Sequence, residues 1–308
     1  MQLRSGRRTR TLQAAQPPPA SEDLPSSEYP FELQQLADFL RSHPAYDDQI
    51  KEFYLPHAQW EQLEAESALD SRFAGSLVKY DYSSATEILS LRMPSAKHDL
   101  FREFIGNSFY RFLRDPAIAR YTQSLKYLDS LDIMYPSDIA TQVIQRQPDM
   151  LISNWKIGRC PVLVFEVGYA EPAYKLHNRA REYIERTQGR IQTVITFNLS
   201  YPRGKRASFI VWRASFGEDG QFKKVVRGDT VVIRNGRGDM NPDPAAGLFL
   251  SLEDFGFPPG VDTGADRPGF SVSMEDLYAD VRFAEEDEEL DRAAYAVLIE
   301  KLGPFAKK

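Results

Sequence analysis

The order of strand and helix signals predicts an α/β protein with a mixed central sheet flanked by helices and a helical extension at the N-terminus. Three consecutive stretches carry that prediction. "CPVLVFEVGY", Cys160 to Tyr169, is apolar almost throughout, as expected of a strand covered on both faces. "EPAYKLHNRAREYIERTQG" then sets Leu176, Ala180, Tyr183 and Ile184 along one helical stripe, with Gly189 as a fitting stop. "IQTVITFNLSY" returns to a strand pattern, and strand–helix–strand is the mark of a parallel crossover.

The remaining elements follow from the N-terminus. Residues 1–30 read as a disordered tail: "MQLRSGRRTR" is basic, and "QPPPASEDLPSSEYP" is too rich in Pro and Ser to build a core. The arginines suit a nuclear address or a nucleic-acid arm as well as a plain solvated tail. Residues 31–70 read as a helical extension, from the spacing of Leu33, Leu36, Phe39 and Leu40 and from "HAQWEQLEAES". "SLVKYDY" and "ATEILSLRM" read as paired strands. "SAKHDLFREFIGNSFYRFLRDP" follows as a helix capped by Ser95, with Pro116 past its end. "QPDMLIS", "ASFIVWRAS" and "DTVVIRN" complete the strands of a domain spanning 71–256. Residues 257–308 read as a loop and an acidic helix whose Ala294, Val297, Leu298 and Leu302 share a face.

Composition narrows the class. Hydrophobic residues at 42% and aromatics at 12% supply a core for 308 residues, and the net charge of −6 argues against a generally basic surface. A single cysteine, Cys160, excludes an internal disulfide framework and fits a reducing compartment. No apolar run reaches the length of a membrane span and no signal-peptide core is visible, so the expectation is an intracellular protein, nuclear or cytoplasmic. The histidines are too scattered to spell out a zinc site.

The chemistry concentrates on two acids. Asp149 opens one strand and Glu166 lies inside the most apolar one, where an unpaired carboxylate is costly. Carboxylates on neighbouring strands can meet at a sheet edge and hold a hard cation, Mg2+ or Mn2+ rather than zinc. Such an ion activates water against a phosphodiester, and a lysine nearby orients the water or steadies the developing charge.

Pro148-Asp149 followed by "FEVGY" resembles the PD-(D/E)XK nuclease superfamily, whose fold is restriction-endonuclease-like. "TEILSLRMPSAKHDLF", "FEVGYAEP" and "GLFLSLEDFG" extend the likeness, in order, to Uma-type endonucleases over about Tyr80 to Phe255. The superfamily's lysine falls two residues after the glutamate, where this chain has Gly168. The resemblance points instead to Lys175, in the first turn of the next helix, with Arg179 one turn on. It implies that Asp149, Glu166 and the Val167 carbonyl bind the metal and that Lys175 aligns water or phosphate. Glu87, His98 and Arg179 would add outer contacts. The implied partner is nucleic acid, DNA foremost, and the chain would pair as a homodimer.

Plainer readings stand beside these. Pro-Asp is common where turns lead into strands. Glu166 suits pairing with an arginine, Lys175 suits a solvated helix face, and His98 suits a cap or a packing role. The rival function is a nuclease fold without catalysis, used for binding or scaffolding, and glycine at 168 favours it.

Overall fold

The computed structural model describes residues 50–65, 79–92, 95–128, 131–136, 143–158, 160–169, 171–200, 204–260 and 268–287. They form a mixed α/β structure around two larger sheets and a small hairpin. The first sheet is antiparallel throughout: β1 (Ile50–Tyr54), β3 (Ile88–Arg92), β2 (Lys79–Ser83), β6 (Val143–Arg146) and β5 (Ile133–Pro136), in that spatial order. The second runs β11 (Phe222–Arg227), β10 (Ala207–Phe216), β9 (Thr193–Leu199), β8 (Pro161–Tyr169), β7 (Met150–Asn154) and β4 (Leu125–Leu128), with β12 (Val231–Arg234) also paired to β10. Within it β8 and β9 are parallel, joined by helix α4 (Ala173–Arg186), so the expected crossover is present. The turn off α4 is made by Gly189, at φ +72°, whose N–H returns to the Ile184 carbonyl at 2.9 Å.

Every residue of β8 is buried, which explains its unbroken apolar run. Leu163, Phe165, Val167 and Tyr169 share a core with Phe101, Ile105 and Phe109 of α2 (Ala96–Leu113). Val164 joins Ala180, Tyr183 and Ile184 of α4 in a second core. Side chains alternate along a strand, so Glu166 and Gly168 share the α4 side with Val164. Helix α2 starts where Ser95 accepts the His98 N–H at 3.1 Å, the cap its sequence anticipates.

In the first sheet the same alternation separates charge from aromatic surface. Tyr80 and Tyr82 pack against Trp60 of α1 (His57–Ala65), at ring separations of 5.4 and 4.5 Å. Lys79 and Asp81 fall on the opposite face, where the strand register sets them beside Arg92 and Arg146 respectively.

Several elements depart from the sequence-based expectation. Ile50–Tyr54, placed in the helical extension, is strand β1 and pairs along its length with β3. The short strands β4, β5, β6 and β11, and the one-turn helix α3 (Ala119–Thr122), had no distinct pattern to announce them. Residues 268–287, within the segment expected as loop and acidic helix, belong to the main core: β14 (Gly269–Val272) pairs with β13 (Leu248–Ser251), and helix α5 (274–287) contributes Leu277 and Val281. Glu285 of α5 accepts from Arg234 of β12 at 2.7 Å and from the fully buried Lys97 of α2. The basic tail, the spacing of Leu33 to Leu40 and the face carrying Ala294 to Leu302 lie outside the described residues. Among the described residues no helix is long and apolar enough to cross a membrane.

Phe165 is fully buried at the centre of β8. Phe165→Ala is therefore expected to lower the unfolding free energy by about 3–5 kcal/mol, read from urea denaturation.

Candidate functional site

The first sheet hands the chain to the second through Gln147, Pro148 and Asp149, between β6 and β7. Register brings the acids together: Met150 pairs with Phe165, so Asp149, one residue back, falls beside Glu166. Both carboxylates are 0% exposed. The expected convergence is thus present, but neither acid is open.

Asp149 is bound on both oxygens. Lys79 Nζ donates to Oδ1 at 2.6 Å; Oδ2 accepts the Val167 N–H at 2.7 Å and faces His98 Nε2 at 3.2 Å. The other nitrogen of His98 lies 3.2 Å from Asp99 Oδ1, so both ring nitrogens face carboxylates, which favours the imidazolium. Burial disfavours that charge, but Asp149 and Asp99 outweigh it and raise the pKa to about 9. Burial likewise pushes Asp149 upward, but Lys79, His98 and Arg92 hold it well below the usual carboxylate range.

Glu166 is bound as fully. The Tyr183 hydroxyl of α4 donates to Oε1 at 2.7 Å, while Oε2 lies 3.3 Å from Arg92 Nη1 and 3.2 Å from Arg179 Nε. Burial holds its pKa above the usual glutamate range against the pull of Arg179 and Arg92, and the neighbouring Asp149 charge adds to the rise. Arg92 also reaches Asp81 and donates to the Gln147 carbonyl. Arg179 donates to Glu171 at 2.5 Å.

The other sequence-predicted residues are placed as follows. Arg179 is at the site, as an ion-pair partner of Glu166. Lys175 pairs with Glu52 of β1 at 3.2 Å and contacts neither acid directly. With Arg92 and Arg179 it lines a pocket of about 220 Å³ whose wall includes neither Asp149 nor Glu166. Glu87 lies in the β2–β3 turn, at φ +52°, where it accepts from the Tyr54 hydroxyl and the His57 N–H at 2.7 and 3.0 Å. That binds β1 and α1 to the hairpin and gives Glu87 no part in the site. Val167 meets Asp149 through its N–H, not through the carbonyl oxygen that a cation needs. At Gly168 a Cβ would stand 2.7 Å from Leu176 Cδ2 and 3.2 Å from Glu171 Oε1, so any side chain there must first displace the ends of those two side chains.

Sequence reasoning missed Lys79, Asp81 and Arg92. The signal was "KYDY" beside "ILSLR", charges alternating with apolar side chains, but nothing local says which acids they meet.

The donor chemistry decides whether a divalent cation fits. Carboxylate oxygens suit Mg2+ or Mn2+. Here, however, Lys79, Arg92, His98 and Arg179 already stand against Asp81, Asp149, Glu166 and Glu171. Two further positive charges in this buried cluster would be uncompensated. Among the described residues no group of three or more His, Cys, Asp or Glu side chains is arranged to hold a metal. The residues as disposed do not fit the ion. No family model matches the chain, nor does any curated protein or solved structure.

Two outcomes test this description. Arg92→Met leaves Glu166 and Asp81 short of a partner and should cost about 3–5 kcal/mol in urea unfolding, against about 0.5 kcal/mol or less for the half-exposed Lys175→Ala. A raised histidine pKa gives stability that is full below pH 6.5 and lost as pH rises through about 9. Urea midpoints measured from pH 6 to 10 should show that decline in the wild type and a flatter profile in His98→Gln.

Proposed function

We propose that this chain is a non-catalytic descendant of the PD-(D/E)XK nuclease superfamily, a restriction-endonuclease-like fold that works as a binding module for nucleic acid. The order α2, antiparallel β4–β7–β8, α4 and parallel β9 supports the fold assignment. The observation that carries the functional reading is the state of Asp149 and Glu166, each fully buried and each matched by cations from surrounding elements. In this reading Arg92 and Arg179 neutralise Glu166, Tyr183 fixes its orientation, and Lys79 and His98 do the same for Asp149. The acids then serve the docking of elements. Leu176 against Gly168, and Glu52 against Lys175, are consistent with neither position 168 nor Lys175 supplying a lysine to chemistry, and Lys79, the lysine that does reach Asp149, is held there as its ion-pair partner.

One observation favours the second reading, a Mg2+- or Mn2+-dependent endonuclease acting on DNA: the two acids do lie side by side on adjacent strands. That reading requires Lys79, Arg92 and Arg179 to leave the carboxylates they now hold.

Calorimetric titration with Mg2+ and with Mn2+ separates the two, alongside incubation with single- and double-stranded DNA and RNA. The expected result is no saturable heat and no cleavage. Heat that vanishes in Asp149→Asn, with cleavage that vanishes in Glu166→Gln, would establish the nuclease instead.

A further inference from the structure

We propose that the groove between α4 and β11, on the far side of α4 from the charge cluster, seats a single strand of nucleic acid. The inference rests on the binding role proposed above for its partner class and adds the surface and the strand state. The groove measures about 560 Å³. Tyr174 and Arg181 of α4 form one wall, Lys223, Lys224 and Arg227 of β11 the other, and Trp212 the floor.

Register explains the construction. Trp212 pairs with Arg227, Ala214 with Val225 and Phe216 with Phe222, so these share the face toward α4. The register shifts between Ser215 and Phe216, leaving Lys223 as an extra residue on β11. Arg227 lies 5.6 Å from the Trp212 ring centre, and the His177 ring is 5.4 Å from the same indole. Burial and the Arg227 charge lower the pKa of His177, so it stays neutral near pH 7. His177 also lines a second hollow of about 190 Å³ with Arg206, Ser208 and Thr230.

The chemistry of the walls selects the ligand. Glu185 is the acid in the groove's lining, set against Arg181, Lys223, Lys224 and Arg227, in a chain whose net charge is −6. Glu185 is taken up by Arg181, at 3.5 Å, and among the described residues no carboxylate pairs with Lys223 or Lys224. A positive groove on an acidic protein selects an anion. The Tyr174 ring, 61% exposed on the rim, is a platform for a flat ring. Phosphates with unpaired bases satisfy both walls, whereas a duplex hides its base faces and an acidic peptide has none. Lysines on an edge strand also discourage sheet-to-sheet pairing, but that role asks nothing of Tyr174 and Arg181 across the gap.

The test is fluorescence anisotropy of the full chain with a labelled oligo-dT, the matching duplex and a poly-glutamate peptide. Single-strand binding should weaken about 5- to 150-fold in Tyr174→Ala and at least roughly tenfold in Lys223→Glu/Lys224→Glu, with unchanged urea midpoints. If the wild type binds oligo-dT and these variants bind equally well, the groove assignment fails while the binding role survives. If the wild type binds no nucleic acid, both fail. Preference for the duplex or the peptide overturns the single-strand assignment.

Discussion

Charge that is out of reach of water must be matched within a few ångströms, and that constraint governs the junction of the two sheets. Arg92 is its hub. From β3 in the first sheet it reaches Glu166 on β8 of the second, Asp81 on β2 and the carbonyl of Gln147 in the link between sheets. Arg179 meets the same glutamate from α4, and Lys79 and His98 close around Asp149. Removing one member leaves its partners charged, buried and unmatched, so the cluster acts as a unit.

A charged junction of this kind adds little stability over a well-packed apolar one, and its value lies in register. Along β2, Lys79 and Asp81 alternate with Tyr80 and Tyr82. A slip of one residue would turn the tyrosines toward Glu166 and drive the charges against Trp60. Gly168 sets the spacing on the other side, because it lets Leu176 of α4 sit close to β8.

The best-read parts of the sequence were those where local pattern and tertiary environment agree. The apolar run of β8, the stripe of α4, the Ser95 cap of α2 and the β8–α4–β9 crossover all fall where periodicity puts them. So does the meeting of Asp149 with Glu166, because adjacent antiparallel strands with a short connection fix which residues face each other. The short strands are different. β4, β5 and β6 have four residues each, too few for alternation to stand out, and β1 was lost inside a helical pattern. That loss also misplaced Lys175: its partner Glu52 lies on β1, and a lysine one turn from Arg179 looks free until that strand is put in place. Two of the cations around the acids, Lys79 and Arg92, come from 70 and 74 residues away, a pairing that no local pattern encodes.

The bond between Lys97 and Glu285 bears on how this protein is made. Its partners are 188 residues apart, and the Lys97 ammonium is fully buried in the finished structure. A ribosome delivers α2 and both larger sheets well before it delivers Glu285. Until then Lys97 lacks the Glu285 carboxylate, and the apolar surface that Leu277 and Val281 cover in the finished structure is not yet closed. Closure of the main core thus waits on a segment that is made late in synthesis.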